Sequence, residues 1–289
     1  MTHALRTWRP TDGFALAGLV LAAVVSCYGV WWYTFATGWQ NPEQSHVLLA
    51  VPIVLWLTWI RRARLATVTP RWSLWGPGVI AAGWVVGEVG LRYGYDLLWH
   101  LGALALVWGA VLSITGPRLL ARFLVPVVAS LAILPIPGQI RMQIAGPLQD
   151  ISAVCTQFLL EIAGVPVART GNVLQINGEN VAIAEACNGM RMVAALGVVT
   201  YTFAFSIPAK PAVRAMLLAI SPLLAVIVNI VRLMPTVLFY GYADAGFADL
   251  FHDLSGWLMM VVALGVLWSF MRLLRWMELP VLSYGALRS

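Results

Sequence analysis

Of 289 residues, 61% are hydrophobic, 10% are charged and 14 are tryptophan; a soluble protein of this size cannot hide so much apolar surface. A net charge of +6 is compatible with nucleic-acid binding in principle. Its placement along the chain argues for membrane topology instead.

Long, weakly charged apolar runs predict an all-α integral membrane protein with about eight transmembrane helices. They lie over about 14–36, 46–60, 74–91, 96–115, 119–136, 186–206, 213–240 and 254–272. The first run is too long for a signal peptide and lacks a small-residue cleavage site, so it is expected to remain as a span. No sequence repeat or low-complexity segment divides the chain, and 1–289 is read as a single polytopic membrane domain.

The segment 138–184 is an extracytoplasmic insert between spans. In its first part, over 138–165, Ile140, Ile144, Leu148, Ile151, Val154, Cys155, Phe158, Leu159 and Ile162 recur at intervals of three and four. Polar residues stand between them, which describes an amphipathic helix lying at the interface or packed on the bundle. The second part, 166–184, is rich in β-prone residues around Asn177-Gly178 and predicts a short β-hairpin. That hairpin delivers the chain directly to Cys187.

Arginines and lysines fall in both tails and in alternate loops: Arg6 and Arg9, the group Arg61, Arg62, Arg64 and Arg71, then Arg118 and Arg122, Lys210 and Arg214, and Arg272 and Arg275. Most carboxylates belong to the other side. The positive-inside rule then places both termini in the cytoplasm and the acidic side outside.

Three separated residues reach that outer side. Cys187 opens the sixth span and His252 precedes the eighth. Arg232 stands 18 residues after Arg214, a climb of about 27 Å through a core about 30 Å thick. An arginine inside an apolar run costs about 2.5–3.5 kcal/mol on insertion scales and is a functional suspect by default. Chemically, the three suit acyl transfer. A thiolate attacks, a permanent cation stabilises first the thiolate and then the oxyanion, and an imidazole moves the proton. Asn229 shares a helix face with Arg232 and is placed to orient the guanidinium or the substrate. Pro235 leaves the Val231 carbonyl without its usual partner, where a kink would shape a pocket. Arg191, one turn inside Cys187, is a second cation that Glu185 or Asp253 would neutralise. His46, at the outer end of the second span, is a further candidate. Cys27 and Cys155 read as packing residues, and three cysteines make no disulfide framework.

At these residues the chain resembles the exosortase/archaeosortase family of membrane cysteine transpeptidases. "EACNGMR" is similar to the family's E-A-C-S-G-(L/I/M)-R box, "NIVR" to its N-x-x-R box, and "HDLSGW" to its bacterial H-D-x-x-G-W segment. The resemblance extends over most of 39–275. Asn188 stands where serine usually follows the nucleophile, and Val47 where glycine often follows the histidine. The resemblance implies Cys187 as nucleophile, Arg232 as stabilising cation and His252 as acid/base. It implies a bacterial inner-membrane enzyme that needs no cofactor or metal and whose site faces the periplasm. Its partners would be membrane lipid, exported proteins bearing a PEP-CTERM-like sorting signal (a short motif, a membrane helix and a basic tail) and an acceptor nucleophile of unknown identity.

Three rival readings explain less. Haem held by His46, His100 and His252 leaves the cysteine box without a purpose. Anion transport through Arg232 and Arg191 would be expected to show paired broken helices or inverted repeats, which the sequence lacks. A rhomboid-like serine site at Ser255-Gly256 lacks the preceding glycine and a paired histidine on a later helix.

Overall fold

Glycines recur at seven-residue intervals along one helix pair: Gly76, Gly83 and Gly90 on α4 (Trp75–Tyr93), Gly102 and Gly109 on α5 (Asp96–Thr115). A Cβ added at Gly102 would lie 2.5 Å from the Gly87 Cα, and one at Gly90 would lie 2.4 Å from the Trp99 nitrogen. Backbone therefore meets backbone, as small-residue seams permit between membrane helices. These distances come from a computed structural model, which describes residues 8–67, 69–183 and 190–276. The chain is mostly helical and forms two compact units, 1–137 and 138–289.

In the first unit, α1 (Pro10–Ser26) and α2 (Tyr28–Gln40) meet at Cys27 with a bend of 70°. The run 14–36 is thus a bent pair rather than one straight helix. α3 (His46–Trp59) follows. Its approach is fixed by Gln44, whose amide clasps the backbone of Ile136: Nε2 donates to the carbonyl at 3.0 Å and Oε1 accepts from the N–H at 3.1 Å.

The predicted span 119–136 is also interrupted. It forms α6 (Pro117–Arg122), α7 (Leu124–Ser130) and a 3₁₀ turn over Leu131–Ile133. Pro126 has no N–H to offer the Arg122 carbonyl four residues back. The Arg64 guanidinium donates to that carbonyl instead, at 3.0 Å.

The second unit opens with α8 (Gly138–Ile162), the expected amphipathic helix. Over 166–184 the expected single hairpin is extended to a three-stranded antiparallel sheet: β1 (Val167–Thr170), β2 (Val173–Ile176) and β3 (Glu179–Ala182). Thr170 pairs with Val173 and Ile176 with Glu179. Asn177-Gly178 makes the second turn as expected; Gly171, at φ +60°, makes the first. α9 (Met190–Ser206), α10 (Pro211–Tyr242) and α11 (Ala245–Trp276) complete the unit. α10 runs unbroken through Pro222 and Pro235. The Arg214 guanidinium donates to the carbonyls of Ala204 and Ile207, closing the α9–α10 turn.

Among the described residues, three helices are long and apolar enough to cross a membrane: Asp96–Thr115, Pro211–Tyr242 and Gly246–Leu273. Two bent pairs, α1 with α2 and Leu124–Ile133 with α8, reach that length together; His46–Trp59 and Arg191–Ser206 are shorter apolar helices.

Candidate active site

The site is built on α10. Its buried residues, among them Leu217, Ser221, Leu224, Val228, Arg232 and Thr236, recur at three and four and form one stripe. That stripe packs against α8, α9, α11 and the sheet. Asn229 and Arg232 sit within it, Asn229 fully buried and Arg232 only 5% exposed. A charge so enclosed requires partners.

α11 supplies one. The Arg232 Nη2 donates to the His252 Nε2 at 3.0 Å. The guanidinium has no acceptor atom, so Nε2 carries the lone pair and the neutral ring bears its proton on Nδ1. Nδ1 faces the Asp253 Oδ1 at 3.4 Å. Arginine and aspartate together select one tautomer of the imidazole. Gly256, one turn beyond His252, lies against the cation: a Cβ there would sit 3.6 Å from the Arg232 Nη1, at ordinary contact distance. The Ser255 hydroxyl donates to the His252 carbonyl at 3.0 Å.

The register between α10 and α11 is fixed beyond the site. Tyr240 donates to Asp249 at 2.6 Å, and Phe239 meets Phe247 and Phe251 edge to face. On the other flank, the Asn229 Nδ2 donates to the Ser152 hydroxyl of α8 at 3.4 Å. Thr236 donates to the Arg232 carbonyl at 2.8 Å.

The sheet brings the chain toward this region. Leu174, Ile176 and Ile183 are buried against Leu233 and Val237 of α10. Asn177 Nδ2 donates to the Gly241 carbonyl at 2.9 Å, and a Cβ on Gly241 would lie 2.7 Å from the Ile176 Cγ2. Arg169 pairs with Asp150 of α8 at 2.9 Å. Ile183 is therefore anchored on α10. Arg191, half-buried near the start of α9, lies within Coulombic range of both Arg232 and Asp253.

Five of the residues singled out in the sequence thus come together: Arg232, His252, Asn229, Arg191 and Asp253. Cys187, Glu185 and Asn188 lie outside the described residues. His46 is buried in the first unit, beside the backbone of Glu43 and Leu134. His100, also in the first unit, is fully buried; its Nδ1 is hydrogen-bonded to the Asp96 carbonyl and its ring packs on Tyr33 and Trp99.

Gly256 entered the sequence reading only as the glycine of the HDLSGW segment; standing four residues after His252, it shares that residue's face. One contributor was missed in the sequence. Ser152 carried no signal, being an ordinary serine 77 residues away from Asn229.

Apolar helices around a buried guanidinium–imidazole pair define a multi-pass membrane protein with a polar centre held inside its helices. The chain belongs to the transmembrane exosortase family, whose model matches residues 38–269. No curated protein and no solved structure matches it.

Proposed function

We propose that the chain is a membrane cysteine transpeptidase or protease that removes a C-terminal sorting signal from exported proteins, with Cys187 as nucleophile. The observation that carries this reading is the Arg232–His252 contact of 3.0 Å. It joins a permanent cation and a proton carrier from two helices. The residues at either end of the segment bearing Cys187 support it: Ile183 packs on α10, and Arg191 senses Arg232. Four residues of chain, at most about 14 Å when extended, separate Cys187 from each of them.

In this reading the sulfur attacks the carbonyl carbon of the scissile peptide bond and forms a C–S bond. The thiol proton passes to the His252 Nε2. Arg232 at rest occupies that nitrogen, so its N–H must turn to the developing oxyanion as the base is freed. Collapse breaks the C–N bond, and the imidazolium gives its proton to the leaving amine. The released piece is the signal helix with a new amino terminus; the protein remains as a thioester. An acceptor amine or water then attacks the thioester, gives its proton to His252 and restores the thiolate. Asn229, tied to Ser152, holds the guanidinium side of α10 in place. Asp253 keeps the ring in its starting tautomer.

The accompanying topology is one membrane domain of eight spans in a bacterial inner membrane, with both termini cytoplasmic and the site at the periplasmic boundary. A substrate helix beside α10 and α11 would bring its cleaved bond to that depth. Its recognition motif would be of the PEP-CTERM kind and its acceptor an amine on a lipid or glycan.

The test is co-expression with an exported protein carrying such a tail. Wild-type protein is expected to process it and to yield a Cys187 thioester on trapping and mass spectrometry. Cys187→Ala is expected to accumulate in the membrane and process nothing; normal processing by that variant overturns the assignment.

A further inference from the structure

The first unit holds a cavity of about 770 Å³ where the chain enters α4 and leaves α5. Arg71, Arg118 and Arg122 line it, and among the described residues no carboxylate does. The Arg71 and Arg118 side chains are exposed and make neither a hydrogen bond nor an ion pair among the described residues. Arg71 and Arg118, two like charges at one cavity, repel one another unless an anion lies between them.

The same cavity has an apolar exit. Trp72, Leu74 and Trp75 lie on its wall, with Leu74 90% exposed. Leu74 and Trp75 also line an adjoining apolar groove of about 540 Å³ that continues along α4 past Gly78, Val79 and Ala82. The loop that carries these residues is fixed to α5, because the Ser73 N–H donates to the Ser113 carbonyl at 3.1 Å. A basic cavity thus adjoins an apolar groove, with Leu74 and Trp75 lining both. Tryptophan and arginine together are the side chains that settle at a membrane surface.

We infer that this is a binding site for an anionic phospholipid, with its phosphate among Arg71, Arg118 and Arg122 and an acyl chain along the α4 groove. A soluble phosphate would use the arginines and leave the groove empty; a neutral lipid would use the groove and leave the charges of Arg71 and Arg118 uncompensated. Only a ligand with both parts fits both features.

The test uses the full chain purified in detergent, with lipid retention read by native mass spectrometry. Dioleoylphosphatidylglycerol is expected to bind at least tenfold more tightly than dioleoylphosphatidylcholine. Each basic side chain near an anionic headgroup contributes about fivefold, so the Arg71→Gln/Arg118→Gln variant should lose about 25-fold in phosphatidylglycerol affinity. Gly78→Leu should weaken binding without any change of charge; a Cβ at Gly78 meets nothing within 4 Å, so this variant tests the groove with the fold intact. A phosphatidylglycerol carrying a photoreactive group on its acyl chain should label α4 between Trp75 and Ala82 in the wild-type protein. Equal affinity for the two lipids, full affinity in both variants, labelling confined to other helices, or displacement of the lipid by inorganic phosphate at millimolar concentration would each overturn the inference. None of these readouts depends on processing of an exported protein, so the inference and the proposed activity stand or fall separately.

Discussion

Replacing Arg232 by lysine keeps a positive charge at the site and removes the planar fork that reaches the His252 Nε2. The contact is 3.0 Å long and the arginine is 5% exposed, so water cannot substitute freely for what is lost. A hydrogen bond to a charged group is worth about 1.5–3 kcal/mol. In the transition state the same N–H turns to the oxyanion, and loss of that bond slows the reaction about 10- to 160-fold at 1.36 kcal/mol per decade. The assay is the rate at which a signal-bearing protein loses its tail, followed by pulse labelling in cells that contain equal amounts of each variant. Pairing Arg232→Lys with His252→Ala tests the coupling. Because both changes remove one shared contact, their effects should combine to less than the sum of the two free-energy losses. Processing by Arg232→Lys within fivefold of wild type, or strict additivity in the pair, would refute the reasoning.

Other expectations follow from the same geometry. Asp253→Asn should slow processing by less than about fivefold, since the side chain is 83% exposed and exposed ion pairs contribute about 0–1 kcal/mol; a hundredfold loss in the same labelling assay would contradict this. Gly102→Ala places a methyl group 2.5 Å from the Gly87 Cα, where backbone cannot yield. An overpacking cost of about 1–3 kcal/mol predicts a melting temperature lower by about 2–12 °C. Fluorescence-monitored unfolding in detergent measures it, with Gly18→Ala, whose Cβ meets nothing within 4 Å, as the silent comparison.

Arg232 and His252 were legible in the sequence because a bilayer taxes polar groups, so their presence in apolar runs demands a reason. Asn229 followed from helical spacing alone. The amphipathic helix over 138–162 was legible from its period, and one turn of the sheet from Asn177-Gly178. Gly171 could have announced the other turn, but a lone glycine between β-prone residues does not state how many strands it separates. The break at Cys27 had only a weak local signature: Ser26, whose hydroxyl donates to the Ala23 carbonyl at 2.9 Å, and Gly29 flank it. The interruption after Arg122 had its cause in Pro126, yet Arg64, the residue that takes over the freed carbonyl, stands 58 positions earlier. Such a pairing depends on which distant segments meet, and composition is blind to that.

The glycine seam between α4 and α5 has a mechanical consequence. Helices separated by a layer of side chains can slide as rotamers exchange, and shear motions use that freedom. Here main chain rests on main chain at Gly83, Gly87, Gly90 and Gly102, and there is no intervening layer to rearrange. The two helices are bound to travel as one stiff plank.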